Sequence, residues 1–246
     1  MSPVRVIVVP CYNEAARIEL PRFSAFFDAG VQLLFVNDGS TDDTGSLLAA
    51  LVAKHPGQAR LHSLARNSGK AEAVRHGLNE ALAHGATIVG YTDADLATPP
   101  PEMLRVLDSV QGTVQVALGS RVALLGRRIE RSPRRHYLGR VFATAASLAL
   151  GVRVYDTQCG AKAFLVTDGL RDALARPFAS RWAFDVELLE RLLRSSKDLG
   201  MLPSDVVEVP LHEWRDVRGS KLSATAMLKA GLDLASIGVG RALRRP

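Results

Sequence analysis

Two aspartates one residue apart, Asp93 and Asp95, follow the hydrophobic run Ile88–Tyr91 in the stretch Gly90-Tyr91-Thr92-Asp93-Ala94-Asp95-Leu96. Such a run reads as a buried parallel strand, and open α/β sheets bind ligands in the crevice beyond the carboxyl ends of their strands. Two hard oxygen ligands there, with no His or Cys beside them, suit Mg²⁺ or Mn²⁺ shared with a diphosphate. The same spacing also fits two solvated acids closing a strand, so the reading depends on what else gathers at that edge. Pro10-Cys11-Tyr12-Asn13-Glu14 and Asn37-Asp38-Gly39-Ser40 also follow apolar runs. Together the three tips would hold a base, a ribose and a metal-bound diphosphate. Asp38 would accept from a uracil N–H or a ribose hydroxyl, and Tyr12 would lie against the base. Asp38-Gly39-Ser40 equally fits a turn that caps the next helix.

The elements that must position these residues alternate. Strands are expected over 4–9, 31–36, 60–64 and 86–91, with helices over 14–29, 43–54 (capped by Ser40 and Thr41) and from about 70 to Gly85. Strand and helix in this rhythm imply a mostly parallel sheet flanked by helices on both faces. Pro99-Pro100-Pro101 starts a helix to Ser109, since proline fits a first turn, and a strand follows over 113–118. A basic segment over 127–140 enters a helix reaching Leu150. A short apolar run, a helix over 184–194, a strand over 206–211 and a helical pattern over 222–245 complete the chain. One α/β domain over 1–221 with a C-terminal amphipathic helix over 222–246 is expected.

Composition narrows the class. The 246 residues suit one large domain, 47% apolar content can fill its core, and 31 basic against 25 acidic residues give a modest +6. Cys11 and Cys159 form neither a metal-spaced pair nor a disulfide framework, and read as two buried, reduced thiols in a cytoplasmic protein. The apolar start is short, interrupted by Arg5 and without a cleavage site, so no signal peptide is expected. The longest uncharged apolar stretch, 141–152, falls short of the ~20 residues of a spanning helix.

The segments PCYNE, NDGSTDDT, NSGKAEAVRHG, TDADLATPP, GSR, DTQCGAK, WAFDVELL and VEVPLHEW followed by GSKL occur in this order over residues 6–222. In this the chain resembles inverting GT-A (Rossmann-like) glycosyltransferases, most closely dolichyl-phosphate β-glucosyltransferases and their bacterial polyprenyl-phosphate relatives, beside dolichyl-phosphate mannose synthase. The resemblance implies that Pro10, Tyr12, Glu14 and Asp38 hold the uridine of a UDP-sugar, with Lys70 near the base or diphosphate. It implies that Asp93 and Asp95 bind the bridging Mg²⁺ or Mn²⁺, Asp95 more directly, with Ala94 between them among the donor contacts. Arg121 would approach the donor sugar or acceptor phosphate, and Gln158 would border the sugar pocket. Two departures stand out, Ala97 where the mannose synthase branch has a metal-assisting Gln and Ala161 where Phe usually follows Cys-Gly, and the N-terminal membrane anchor of the eukaryotic enzyme is not expected here.

The chemistry this implies is in-line attack on the anomeric carbon, turning an α-linked donor, UDP-glucose by resemblance, into a β-linked product. A polyprenyl phosphate is largely ionised at neutral pH, its second pKa being ~6, and attacks unaided. A soluble hydroxyl-bearing acceptor needs a carboxylate base, for which Asp185 is the candidate; Asp185 also fits a helix N-terminal acid. Arg127, Arg128, Arg131, Arg134, Arg135 and Arg140, opposed only by Glu130, offer guanidinium forks for an acceptor phosphate or an anionic membrane surface; a solvated helix face is the plain alternative. Arg134 and Arg135, with Ser220 and Lys221, are the expected acceptor-phosphate contacts. Without interleaved aromatics, nucleic acid is not the expected partner. The C-terminal stripe of Met227, Leu228, Gly231, Leu234, Ala235, Gly238 and Val239 fits packing on the domain or on a second subunit, or lying on lipid. A cytoplasmic protein, peripheral at the inner face of the membrane, is expected. The rival classes are a sugar-nucleotide nucleotidyltransferase, which usually has a Gly-rich basic loop where this chain has PCYNE, and a non-catalytic nucleotide binder.

Overall fold

The apolar runs form the strands of one seven-stranded sheet. A computed structural model describes residues 3–199 and 203–216, together with Gly231, Asp233 and Leu234; side chains of residues 133–135 and 195–199 lie outside that description. The strands are β1 (Arg5–Cys11), β2 (Gln32–Asn37), β3 (Ala59–Ser63), β4 (Ile88–Tyr91), β5 (Val116–Ser120), β6 (Arg128–Glu130), β7 (Lys162–Leu165), β8 (Val206–Pro210) and β9 (Glu213–Arg215). The sheet order is β3-β2-β1-β4-β7-β5-β8, and β6 pairs β9 separately. β1, β2, β3 and β4 run parallel, as do β5 and β8, while β7 is antiparallel to both its neighbours.

Both faces of the sheet are covered, which is why β1 and β2 read as unbroken apolar runs rather than as alternations. Val6 and Val8 point into one layer with Val74, Leu78, Phe164 and Leu189. Ile7 and Val9 point into the other with Phe23, Phe35, Leu48 and Met103. The first layer is roofed by α3 (Lys70–Ala83), α5 (Pro133–Leu150), α6 (Asp168–Leu174) and α7 (Phe184–Leu199), the second by α1 (Ser24–Asp28), α2 (Thr44–Lys54) and α4 (Pro100–Asp108). Cys11 and Cys159 are buried, and burial raises the pKa of both thiols.

Several expectations are corrected. The helix over 14–29 shrinks to a 3₁₀ turn, Leu20–Phe23, and α1, because Glu14 closes a tight turn with Arg17 and Ile18, and Pro21 starts a new one. Ser40 and Thr41 do not cap α2. Ser40 Oγ accepts from Asn13 N (3.1 Å), and Asp42 Oδ1 accepts from Thr44 N at the helix start (3.0 Å). The basic segment is interrupted by β6 before α5, and α6 and β9 were not expected: strands of three residues and a helix of seven carry too little periodicity. Of the expected C-terminal helix only three residues are described. Leu234 is buried in the core and Asp233 accepts from Ser180 Oγ, so this part of the segment packs on its own domain.

Candidate active site

Because β1, β2 and β4 are parallel, their carboxyl ends lie along one edge, with Cys11 level with Asn37 and Val8 level with Tyr91. Beyond β4 the chain turns at once. Leu96 N donates to Asp93 O and Ala97 N to Asp95 Oδ1, both at 3.1 Å, with Leu96 at φ +48°. Leucine seldom adopts that conformation, and its burial at 2% exposure holds it there. The turn keeps both carboxylates at the edge.

Their crowding has an electrostatic signature. Burial, and then the like charge of Asp93, raise the pKa of Asp95. Lys70 answers with an ammonium ion-paired to Asp93. Burial would lower the Lys70 pKa, but Asp93 and then Asp185 hold it above the ordinary lysine value. A pair of hard carboxylates that already draws a cation fits Mg²⁺ or Mn²⁺. Among the described residues no three His, Cys, Asp or Glu groups gather to hold a metal. Lys70 is delivered by Asp38, which accepts from Ser68 N (2.7 Å), Gly69 N (2.8 Å) and Asn67 Nδ2 (2.9 Å) and so fastens the loop that opens α3. Gly39, at φ +65°, lets that loop's backbone pass where a Cβ would stand.

A cavity of about 330 Å³ opens beside the acidic pair, lined by Lys70, Asp93, Asp95 and Asp185, by Arg121, Arg131 and Gln158, and by apolar Leu138, Phe142 and Trp182. Arg121 grips Asp156 through two side-chain bonds (2.7 and 2.8 Å) and lies over Trp214, 5.2 Å from its ring centre. Burial alone would raise Asp156, but Arg121 outweighs it and brings the carboxyl to about 2. Asp156 and Tyr155 are fixed in turn through their backbone N–H groups, which donate to Glu208 (2.8 and 2.7 Å). Arg131 lies against Gly139 of α5, and burial and the like charge of Arg121 lower its pKa. Gln158 Nε2 and Thr157 Oγ1 are buried with no hydrogen-bond partner among the described residues, although both residues line the cavity. Buried polar groups of that kind call for a ligand or water.

Asp185 begins α7, and its Oδ1 receives the Tyr91 hydroxyl and, at 2.7 Å, Lys162 Nζ. Lys162 also donates to Cys159 O (2.6 Å) and is itself almost wholly buried. Burial, then Asp185, push the Tyr91 hydroxyl well above its ordinary pKa.

The cavity therefore collects Asp93, Asp95, Lys70, Arg121, Gln158 and Asp185, but not every expected residue. Pro10, Tyr12, Glu14 and Asp38 stand at or just beyond the neighbouring strand ends, with Tyr12 exposed at 44% and the Glu14 carboxylate paired to Arg17. The Ala94 side chain is buried in the apolar layer, so a ligand meets only its backbone. Arg134 and Arg135 lie in the first turn of α5 with side chains outside the described residues, and Ser220 and Lys221 lie outside them altogether. Sequence reasoning missed Lys162, Tyr91, Asp156 and Trp214. A lysine inside an otherwise apolar strand was the signal available for the first.

A parallel-sheet edge of this kind, with an acidic pair, an attendant lysine and an arginine-lined cavity, has the form of a group-transfer site. The model of "Glycosyl transferase family 2" matches residues 6–167, and the chain belongs to that family. It is a glycosyltransferase. It is 31% identical over 94% of its length, and 70% of the relative's, to "Dolichyl-phosphate beta-glucosyltransferase ALG5C" of Trichomonas vaginalis. It is 27% identical to "Polyprenol monophosphomannose synthase" of Mycolicibacterium smegmatis, over 98% and 89% of the two chains. Among solved structures it resembles glucosyl-3-phosphoglycerate synthase from Mycobacterium tuberculosis, in complex with Mn²⁺, UDP and phosphoglyceric acid. The TM-score is 0.66 at 22% identity, covering 98% of this chain and 78% of that one, a likeness of fold. The sheet and its helical layers are those of the GT-A class.

Proposed function

We propose that the protein transfers a hexose, glucose from UDP-glucose, to a polyprenyl or dolichyl phosphate with inversion at the anomeric carbon. The observation that carries this is the cavity. It gathers Lys70 and the acidic pair with three arginines, Arg121, Arg131 and Arg181, and its wall adds the apolar Leu138, Phe142 and Trp182. Guanidinium groups suit an acceptor phosphate, and the apolar wall suits the start of a hydrocarbon chain. The names of both curated relatives, one a dolichyl-phosphate and one a polyprenol transferase, support the acceptor class.

Asp93 and Asp95 would hold the Mg²⁺ or Mn²⁺, which when bound neutralises charge on the departing diphosphate. Lys70 contributes a fixed cation to the same end and Gln158 offers a donor to the sugar. Arg121 and Arg131 orient the acceptor phosphate. One of its oxygens forms the new bond to the anomeric carbon as the bond to the nucleoside diphosphate breaks. The ionised phosphate has no proton to give up, and Asp185, the carboxylate expected as a base, is engaged by Lys162 and Tyr91. A soluble hydroxyl-bearing acceptor is the second reading, favoured by the position of Asp185 in the cavity wall.

The test is incubation with UDP- and GDP-sugars, Mn²⁺, and either a polyprenyl phosphate or hydroxyl acceptors, with products read by mass. A hexosyl phospholipid formed from UDP-glucose is the expected product. Transfer only to hydroxyls, or release of pyrophosphate from a sugar phosphate and UTP, would overturn the reading.

A further inference from the structure

Arg181 precedes α7 and lines the cavity, and its guanidinium reaches the loop that opens α3, where Nη2 donates to Ser68 O at 3.4 Å. That approach needs glycine on the other side. A Cβ on Gly69 would stand 2.7 Å from the same Nη2 and 3.3 Å from Cζ, so any larger residue there would push the guanidinium away.

The segment that carries Arg181 is pinned. Ala179 N and Ser180 N donate to the Glu187 carboxylate (3.2 and 3.0 Å), Arg191 holds that carboxylate at 2.6 Å, and Ala183 N donates to Ser180 Oγ (2.7 Å). A side chain on so fixed a base loses less freedom when it meets a ligand. The other cations of the cavity wall are engaged. Lys70 pairs with Asp93, Arg121 takes Asp156 through two bonds, and Arg131 packs against Gly139. Arg181 is exposed and, among the described residues, has no carboxylate partner. Its one bond is long and runs to a neutral carbonyl, which leaves most of the five guanidinium donors open.

Position decides which phosphate those donors meet. Ser68 and Gly69 are the residues whose N–H groups bind Asp38, and Lys70 follows at once. Arg121 and Arg131 stand instead with Asp156, Trp214 and α5. From this juxtaposition of an unpaired guanidinium with the loop that carries Lys70, we infer that Arg181 holds the diphosphate of the nucleotide donor, and the nucleoside diphosphate as it departs. Its planar fork suits two oxygens of one phosphate group. That the nucleotide is UDP rests on the function proposed above; the role of the arginine does not.

The experiment titrates the full chain at fixed Mn²⁺ and without acceptor, with UDP by calorimetry and with uridine by ligand-detected NMR, then with GDP and guanosine. Arg181→Gln should weaken binding of the diphosphate about 10-fold or more and leave binding of the nucleoside unchanged. Arg181→Lys, which keeps the charge and loses the fork, should fall between the two. In turnover, KM for the donor should rise and KM for the acceptor stay, with the melting temperature of both variants that of the wild type. Equal affinity of Arg181→Gln and wild type for the diphosphate would overturn the inference. So would a matching loss for uridine, which would mean that Arg181 only props the loop held by Asp38. A rise confined to the acceptor KM would also overturn it, placing the guanidinium on the acceptor phosphate, as would a wild type that binds neither nucleotide. A wild type that binds GDP and not UDP would defeat the donor proposed above, and GDP against guanosine would then decide the role of Arg181.

Discussion

Lys162 Nζ lies 2.7 Å from Asp185 Oδ1, both side chains less than a tenth exposed, and Asp185 lines the cavity that holds the acidic pair. The pair joins β7 to α7, and the Tyr91 hydroxyl adds a third member from β4. Removing one partner of a buried pair strands the other's charge, at about 3–5 kcal/mol, whereas removing both is far milder. Lys162→Met should therefore lower unfolding free energy by about 3 kcal/mol, and Lys162→Met with Asp185→Asn should recover most of it. Urea unfolding of the two single variants and the double tests this; additive losses would refute it. Asp185→Asn alone should keep transfer to a phosphate acceptor within about 10-fold of wild type, and a loss of about 10³ or more would mark Asp185 as a base.

Gly160 stands where any Cβ would run into the Asp93 carboxylate. The obstacle is the end of a side chain, so the fold can yield by displacing Asp93. Gly160→Ala should leave the melting temperature within a few degrees of wild type while kcat/KM falls about 10-fold or more, because a small misplacement of a charge-stabilising group is felt fully in the reaction. Parallel losses of stability and activity would instead indicate a packing defect.

The parallel half of the fold was legible because β1, β2 and β4 are apolar runs closed by polar residues, and β2 and β3 are each followed by a helix of 11 or 14 residues. Strand-end position brought Asp93 and Asp95 to this edge in the sequence reading, and the resemblance brought Lys70 there. β7 was not read as antiparallel, since strand direction is set by partners far away in sequence. Nor could spacing show that Asp38 secures the loop that carries Lys70, that Glu14 is taken by Arg17, or that Ala94 faces the core. The Lys162–Asp185 pair was hidden for the same reason: its members are distant along the chain and meet only when β7 packs under α7.

Asp156 offers a pH signature. Its carboxyl sits at about 2 in the folded protein, against an ordinary value of 3.8, because Arg121 outweighs burial. A depressed pKa stabilises above the unfolded value and is lost as pH falls through the folded one. Roughly 2 kcal/mol should therefore vanish between about pH 4 and pH 2. Asp156→Asn should be less stable at neutral pH and have a flatter acid limb, seen in unfolding free energies taken across that range. Identical slopes in variant and wild type would refute the assignment.

Lys70 and a divalent cation would compete for Asp93, since the ammonium already occupies one of its oxygens. Neutralising the lysine has opposite effects on two measurements. In Lys70→Met the acidic pair loses its internal counter-ion, so Mn²⁺ should bind the nucleotide-free protein several-fold more tightly, read by the free-ion paramagnetic resonance signal. Turnover should nevertheless drop about 10²-fold, because a fixed cation at the departing diphosphate is gone. Asp95→Asn should weaken Mn²⁺ binding and turnover together, and excess chelator should abolish transfer in the wild type. If Lys70→Met instead weakens Mn²⁺ binding, the lysine is holding Asp93 in place for the ion rather than standing where the ion binds.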